Sequence, residues 1–217
     1  MSKLDNIAEL HPEYQYPPYF KAKLLLALGD QDNVLSSLLP FAKKKRNDFW
    51  VWEILSEAFP NDKEKVFACY CKGLLCPAPE KMTTNLRAKI IPFFIEKHLW
   101  DEAKTEINNL IEIRNKNSWK ISDHIAAYQN TDWYKNANRK RDNKQVYNQY
   151  ALIAEAILFS DIPEESVLVD FVNSDKKILN FISSENRTGF FKYDRFLKTV
   201  HIGETLKVRF LKKESNG

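Results

Sequence analysis

Glycine is scarce in this chain, five residues in 217, and the scarcity argues against two classes of protein. An all-β fold spends glycine on its many tight turns, and a phosphate-cradling nucleotide loop needs it where backbone meets ligand. Cysteine is rarer still. Cys69, Cys71 and Cys76 fall in one short run, and Cys69 and Cys71 sit two apart, pointing in different directions on a helix. An odd count with that spacing reads as reduced thiols of a cytoplasmic protein, not a disulfide framework. Metal-ligand spacing is missing too: no CxxC or HxxxH completes a set, and His11, His98, His124 and His201 are scattered. No stretch approaches the ~18 apolar residues of a spanning helix. The N-terminal MSKLDNIAELHPEYQYPPYF lacks the apolar centre of a signal peptide. Export and membrane insertion are therefore not expected. No Walker loop, GxSxG, HExxH or paired-carboxylate motif occurs, so neither enzyme activity, nor a cofactor, nor a metal is expected. The charge excess is +4, too small to imply a polyanionic partner by itself.

What is present is a succession of apolar helical stripes. Hydrophobic residues make up 44% and aromatics 13%, enough for a packed core. Residues 1–15 read as loosely ordered. Pro17-Pro18 starts a first helix that Gly29-Asp30 ends, and a second carries Val34, Leu35, Leu38, Leu39 and Phe41 before Lys43-Lys44-Lys45-Arg46. Asp48 to Pro79 holds a helical hairpin. Trp52, Leu55 and Phe59 form one stripe; Val66, Phe67, Cys69, Tyr70, Leu74 and Leu75 form the answering face. Asn61 or Asp62 caps its second helix. Further helices are expected over about 80–97 and 100–115. Residues 118–134 are less regular, and 136–144, NANRKRDNK, read as an exposed connection. A helix from Gln145 to Phe159 is expected to cap the array.

Aligned on Val34, Ala68 and Ala103, the three hairpins share a register with spacings of 34 and 35 residues. The other slots are Ala22, Ser56 and Ile91; Leu25, Phe59 and Phe94; and Phe41, Leu75 and Leu110. Small residues at the closest approach and large ones where helices diverge are what stacked hairpins require. Trp52-x2-Leu55-Ser56-x2-Phe59 followed by Ala68 resembles the tetratricopeptide repeat over roughly residues 15–116. Lys72 stands where that motif has an aromatic. The resemblance implies a groove lined by first-helix residues off the core stripe, with Lys23, Glu53 and Glu57 as candidates for binding a protein partner.

After Asp161-Ile162-Pro163 the period shifts to two. Val167, Val169 and Phe171 alternate with Leu168, Asp170 and Val172; Ile178–Ser183, Thr188–Tyr193 and Leu206–Leu211 follow as strands. The fold class is thus α+β in two domains: an all-α helical-hairpin solenoid over 1–160 and a small antiparallel β module over 161–217. Gly189-Phe190-Phe191-Lys192-Tyr193, then Val200-His201-Ile202-Gly203-Glu204-x2-Lys207-Val208-Arg209-Phe210, resemble the S1/cold-shock type of OB-fold. That barrel has five strands and only four are legible here. Either a further strand lies outside this sequence, or the sheet stays open with its edge covered. The resemblance implies single-stranded RNA or DNA binding, with Phe191 and Tyr193 stacking on bases, Phe190 packing inward, and Arg195, Lys207 and Arg209 at phosphates. The order of helical repeats then S1/cold-shock-like module is similar to bacterial conflict-system (defence) proteins. Together these readings describe a non-enzymatic, cytoplasmic adaptor with a protein partner in its helical groove and a single-stranded nucleic acid on its β module. The alternative is a pure protein-interaction module whose strands only dock.

Overall fold

A computed structural model describes residues 2–210 except 12, 15 and 195. Ten α-helices precede four strands among the described residues, an α+β arrangement. The chain divides into two compact units, Met1–Leu158 and Phe159–Gly217.

The helical unit is built on three antiparallel hairpins: α2 (Pro17–Leu28) with α3 (Gln31–Lys44), α4 (Phe49–Ser56) with α5 (Lys63–Leu75), and α6 (Thr84–Glu96) with α7 (Trp100–Lys116). Ahead of them, residues read as loosely ordered form α1 (Ser2–Leu10). It packs on α2 and is tied there by the 2.5 Å Lys21–Asp5 ion pair. Gly29, at φ 74°, ends α2 in the left-handed region, and its N–H reaches Leu26 O at 3.1 Å. Helix α4 stops at Ser56, short of Phe59, because the N–H groups of Glu57, Ala58 and Phe59 turn to carbonyls three residues back. Of the two capping candidates, Asp62 takes the role, its carboxylate accepting the Lys65 N–H at 3.1 Å.

Ten of the twelve slots read from the sequence are buried, while Phe59 and Leu75, both of the middle hairpin, are half-buried. Val34, Ala68, Ala103, Ala22, Ile91, Phe94 and Leu110 have no exposed surface at all. Gly73 marks a closer approach that the register did not single out. A Cβ there would lie 2.8 Å from a Leu86 methyl and 3.1 Å from the Phe49 carbonyl, so a side chain at this position would crowd both α6 and α4. Beyond α7 come α8 (Asp123–Tyr128), α9 (Asp132–Asn136) and α10 (Lys144–Leu158). The last does not cap the array. It lies along α5 and also touches α3: Tyr150 packs edge-on to Phe67, Lys72 pairs with Glu155, and Tyr147 enters the core beside Phe94 and Ala103.

The connection over 137–143 is not a free loop either; it is strapped along one face of α7. Asp101 accepts the Asn138 N–H at 2.7 Å and Thr105 Oγ1 accepts the Lys140 N–H at 2.8 Å. Glu102 holds Lys140 Nζ at 2.5 Å, and Glu112 takes both Nη atoms of Arg139, at 2.5 and 2.9 Å. Beneath the strap Glu106, 1% exposed, accepts from Arg87 Nη1 at 2.6 Å, Asn143 Nδ2 at 3.0 Å and the Tyr147 hydroxyl at 2.5 Å. Burial, then the neighbouring Glu106 charge, pushes the Tyr147 hydroxyl pKa well up. Among the described residues no helix is long and apolar enough to cross a membrane.

The second unit is one antiparallel sheet in the order β3-β2-β1-β4, from β1 (Glu165–Asn173), β2 (Ile178–Ser183), β3 (Thr188–Lys192) and β4 (Thr205–Val208). Its inner face packs Val167, Val169, Leu179, Phe181, Tyr193 and Val200.

Candidate nucleic-acid interface

The phase of β3 is set by a glycine. Gly189 pairs with Phe181 across β2, and a Cβ at Gly189 would fall 2.8 Å from the Phe181 ring. Only glycine lets that ring lie over the strand, so position 189 faces the core. Alternation then sends Phe190 and Lys192 outward and Phe191 and Tyr193 inward. This reverses the sequence expectation for the aromatics. Tyr193 is 5% exposed and belongs to the core, and its N–H donates to Lys177 O at 3.0 Å. Phe191 is half-buried beside Phe181, ring centroids 6.1 Å apart. Phe190 is 73% exposed.

A second reversal comes from β1. Regular alternation after Val167 and Val169 would bury Phe171. The register slips between Val169 and Phe171, so that Val169 faces Phe181 while Phe171 faces Asn180. Asp170 is the extra residue of a β-bulge, and past it the faces exchange. Phe171 emerges 50% exposed, and Val172 takes the core position opposite Leu179. On the far side Gly203, at φ 85°, donates its N–H to Val169 O at 2.8 Å, so the approach to β4 bends where the bulge lies.

These two devices place Phe171, Asn180 and Phe190 in one row across β1, β2 and β3, all turned outward. Leu168 faces the same way one row along, opposite Ile182 and Thr205. Lys192, opposite Ile178, and Lys207, opposite Ser166, stand on the two edge strands. Both are exposed, and among the described residues neither has an ionic partner.

The other sequence candidates are elsewhere. Arg209 is half-buried and bound within its own unit, its Nε donating to Ile162 O at 3.1 Å and Nη2 pairing with Glu164 at 3.0 Å. Arg195 lies outside the described residues. In the helical unit Lys23 and Glu57 are brought together, at 2.9 Å, and Glu53 accepts from Lys89 at 2.5 Å and Asn85 at 2.8 Å. Lys23 lies on α2, Glu53 on α4 and Glu57 just past the end of α4, and each is paired with the neighbouring hairpin. Sequence reading missed Phe171, Asn180 and Lys192 as outward residues. Neither strand announced its phase: Gly189 between Thr188 and Phe190 is compatible with either face, and nothing in Val169-Asp170-Phe171 announces a bulge.

The two units define an α+β protein with a helical-hairpin array followed by a small antiparallel sheet whose outer face carries exposed phenyl rings. The chain belongs to the family described as a domain of unknown function, DUF7017, whose model matches residues 15–154. Residues 159–217 match the model of S1/CSD-like domain 1 of the TOTE conflict systems. No curated protein and no solved structure matches the chain.

Proposed function

We propose that the β module binds single-stranded RNA or DNA on its outer face, and that the chain acts as a non-enzymatic adaptor in a conflict (defence) system. Phe190 and Phe171 are the stacking platforms; Lys192 and Lys207 meet the phosphates. The observation that carries this reading is the pair of exposed phenyl rings in one cross-strand row between two lysines that have no ionic partner among the described residues. Each ring offers a π-face that any base can use, worth about 1–3 kcal/mol per stacked base. The likeness of residues 159–217 to an S1/CSD-like domain of conflict systems supports it. In the helical unit, the three hairpins with ten of twelve register slots buried support a tetratricopeptide-like scaffold for a protein partner.

The test is anisotropy with labelled single-stranded oligonucleotides of RNA and DNA. Wild type binds, and Phe190→Ala with Phe171→Ala loses most of the affinity while the fold persists, since both rings are exposed. Phe191→Ala and Tyr193→Ala instead destabilise the module. Retention of neither RNA nor DNA at low salt sinks the reading. The alternative is then a pure protein-interaction module. The exposed apolar Phe196 and Ile202, in the β3–β4 connection, favour that alternative.

A further inference from the structure

We infer that Asn180 is the residue through which the module discriminates among bases, an inference that rests on the nucleic-acid reading above. Asn180 is the middle member of the Phe171–Asn180–Phe190 row, on the strand between the two phenyls. Residues directly opposite on adjacent strands have Cβ atoms roughly 5 Å apart. A base stacked on either ring therefore turns an edge toward the Asn180 amide. The side chain is exposed, and among the described residues it makes no hydrogen bond. Its outward neighbours along β2, Ile178 and Ile182, carry no polar side-chain atom. Across the sheet Asn173 has its oxygen engaged by the Lys176 N–H at 3.0 Å. Asn180 is thus the one side chain on the outward face of β2 that can read a base edge.

The chemistry follows from what stacking does to water. Bases lying on both phenyls cover the amide between them and strip its hydration. A covered amide that finds no partner destabilises the complex, so a base with a matching edge is favoured by more than the hydrogen bonds alone. The amide presents a donor beside an acceptor, the complement of adenine N6–H and N7. A carboxylate at the same position only accepts, and matches the cytosine N4–H instead. The ligand assigned to this site is a single strand with adenine stacked on Phe171 or Phe190 and its edge turned to Asn180.

The experiment measures affinities of the full chain for adenine, cytosine and uracil homo-oligonucleotides, for wild type and for Asn180→Ala, Asn180→Asp and Phe190→Ala. Wild type is expected to prefer the adenine strand by roughly tenfold. Asn180→Ala abolishes the ranking while keeping the weaker affinity common to all three strands. Asn180→Asp moves the preference to cytosine. Phe190→Ala lowers every affinity. Thermal melts of the Asn180 variants match wild type, because the side chain supports nothing else. An unchanged ranking in Asn180→Ala, or a wild type with no ranking, overturns the assignment while leaving the binding function standing. A wild type that binds no strand overturns both.

Discussion

The Phe181 ring occupies the space a methyl group at Gly189 would need, a contact that goes with the phase in which Phe190 faces outward. Gly189→Ala should cost about 1–3 kcal/mol by overpacking, seen as a lower urea midpoint for the β unit. An unchanged midpoint would mean the ring moves aside freely and does not set the strand's phase. Among the thiols, burial pushes Cys69 from an ordinary 9.0 up to about 12. Burial, then the Glu106 charge, raises Cys71 as well. The unfolded chain releases these protons near pH 9 while the folded chain keeps them. The folded state therefore binds more protons in the window from about 9 to about 12, and stability falls as pH rises through it. Urea midpoints under reducing conditions should decline across that window, and less steeply in the Cys69→Ala, Cys71→Ala double variant. Equal slopes would assign the decline to other groups. The burial of Cys69 was legible from its place on the apolar face of its helix, while that of Cys71 was not, since two positions on along a helix it points elsewhere. The orientation of Phe190 was not, because period-two alternation fixes that two sets of residues face opposite ways without saying which set faces the core.

At the level of elements, α7 is the organiser of the helical unit's far half. It buries Ala103, Ile107 and Leu110 on one side and receives the 137–143 strap on another. The carboxylate of Glu106 is what lets Arg87, Asn143 and Tyr147 be buried together. Glu106→Ala leaves a largely buried guanidinium unpaired and should destabilise by roughly 3–5 kcal/mol. Replacing both partners with apolar residues, Glu106→Leu with Arg87→Met, should recover much of that loss. Urea unfolding distinguishes the outcomes: if the single variant is as stable as wild type, the pair is dispensable. None of this network could be read from the sequence. Glu102 and Glu106 look like ordinary surface charges of a helix, and NANRKRDNK looks solvated, because hydrogen-bond partners 35–41 residues away leave no periodic trace. The hairpins left a clear one, since Ala68 and Ala103 must be small wherever two helices meet closely, and both are fully buried.

For the molecule as a whole, the two signs of charge are nearly balanced. The net charge is +4, and over residues 161–217 ten Lys/Arg face nine Asp/Glu. Arg187 is held by Glu165 and Glu185, and Arg209 by Glu164, and of the remaining cations Lys192 and Lys207 are the two that stand on the outer face of the edge strands, where the proposed phosphate contacts would fall. Two contacts to a single strand, at about 0.7 each, give a log–log salt slope near −1.4. Titrations between low and moderate salt should show that shallow dependence, and Lys207→Ala should halve it. A steep slope would place the phosphate contacts on other residues. The helical unit distributes its charge differently. Its first helices are linked by Lys23 to Glu57 and by Glu53 to Lys89, so α2 and α6 bring a cation to the row and the middle hairpin brings anions to both. Each exposed pair is worth only about 0–1 kcal/mol, but the polarity alternates along the array. Losing the middle hairpin in one piece would set the Lys23 and Lys89 edges against each other. The alternation therefore makes the order of the hairpins, and not only their number, a property of the surface: each of the two pairs joins one hairpin to the next and neither has a counterpart within a hairpin.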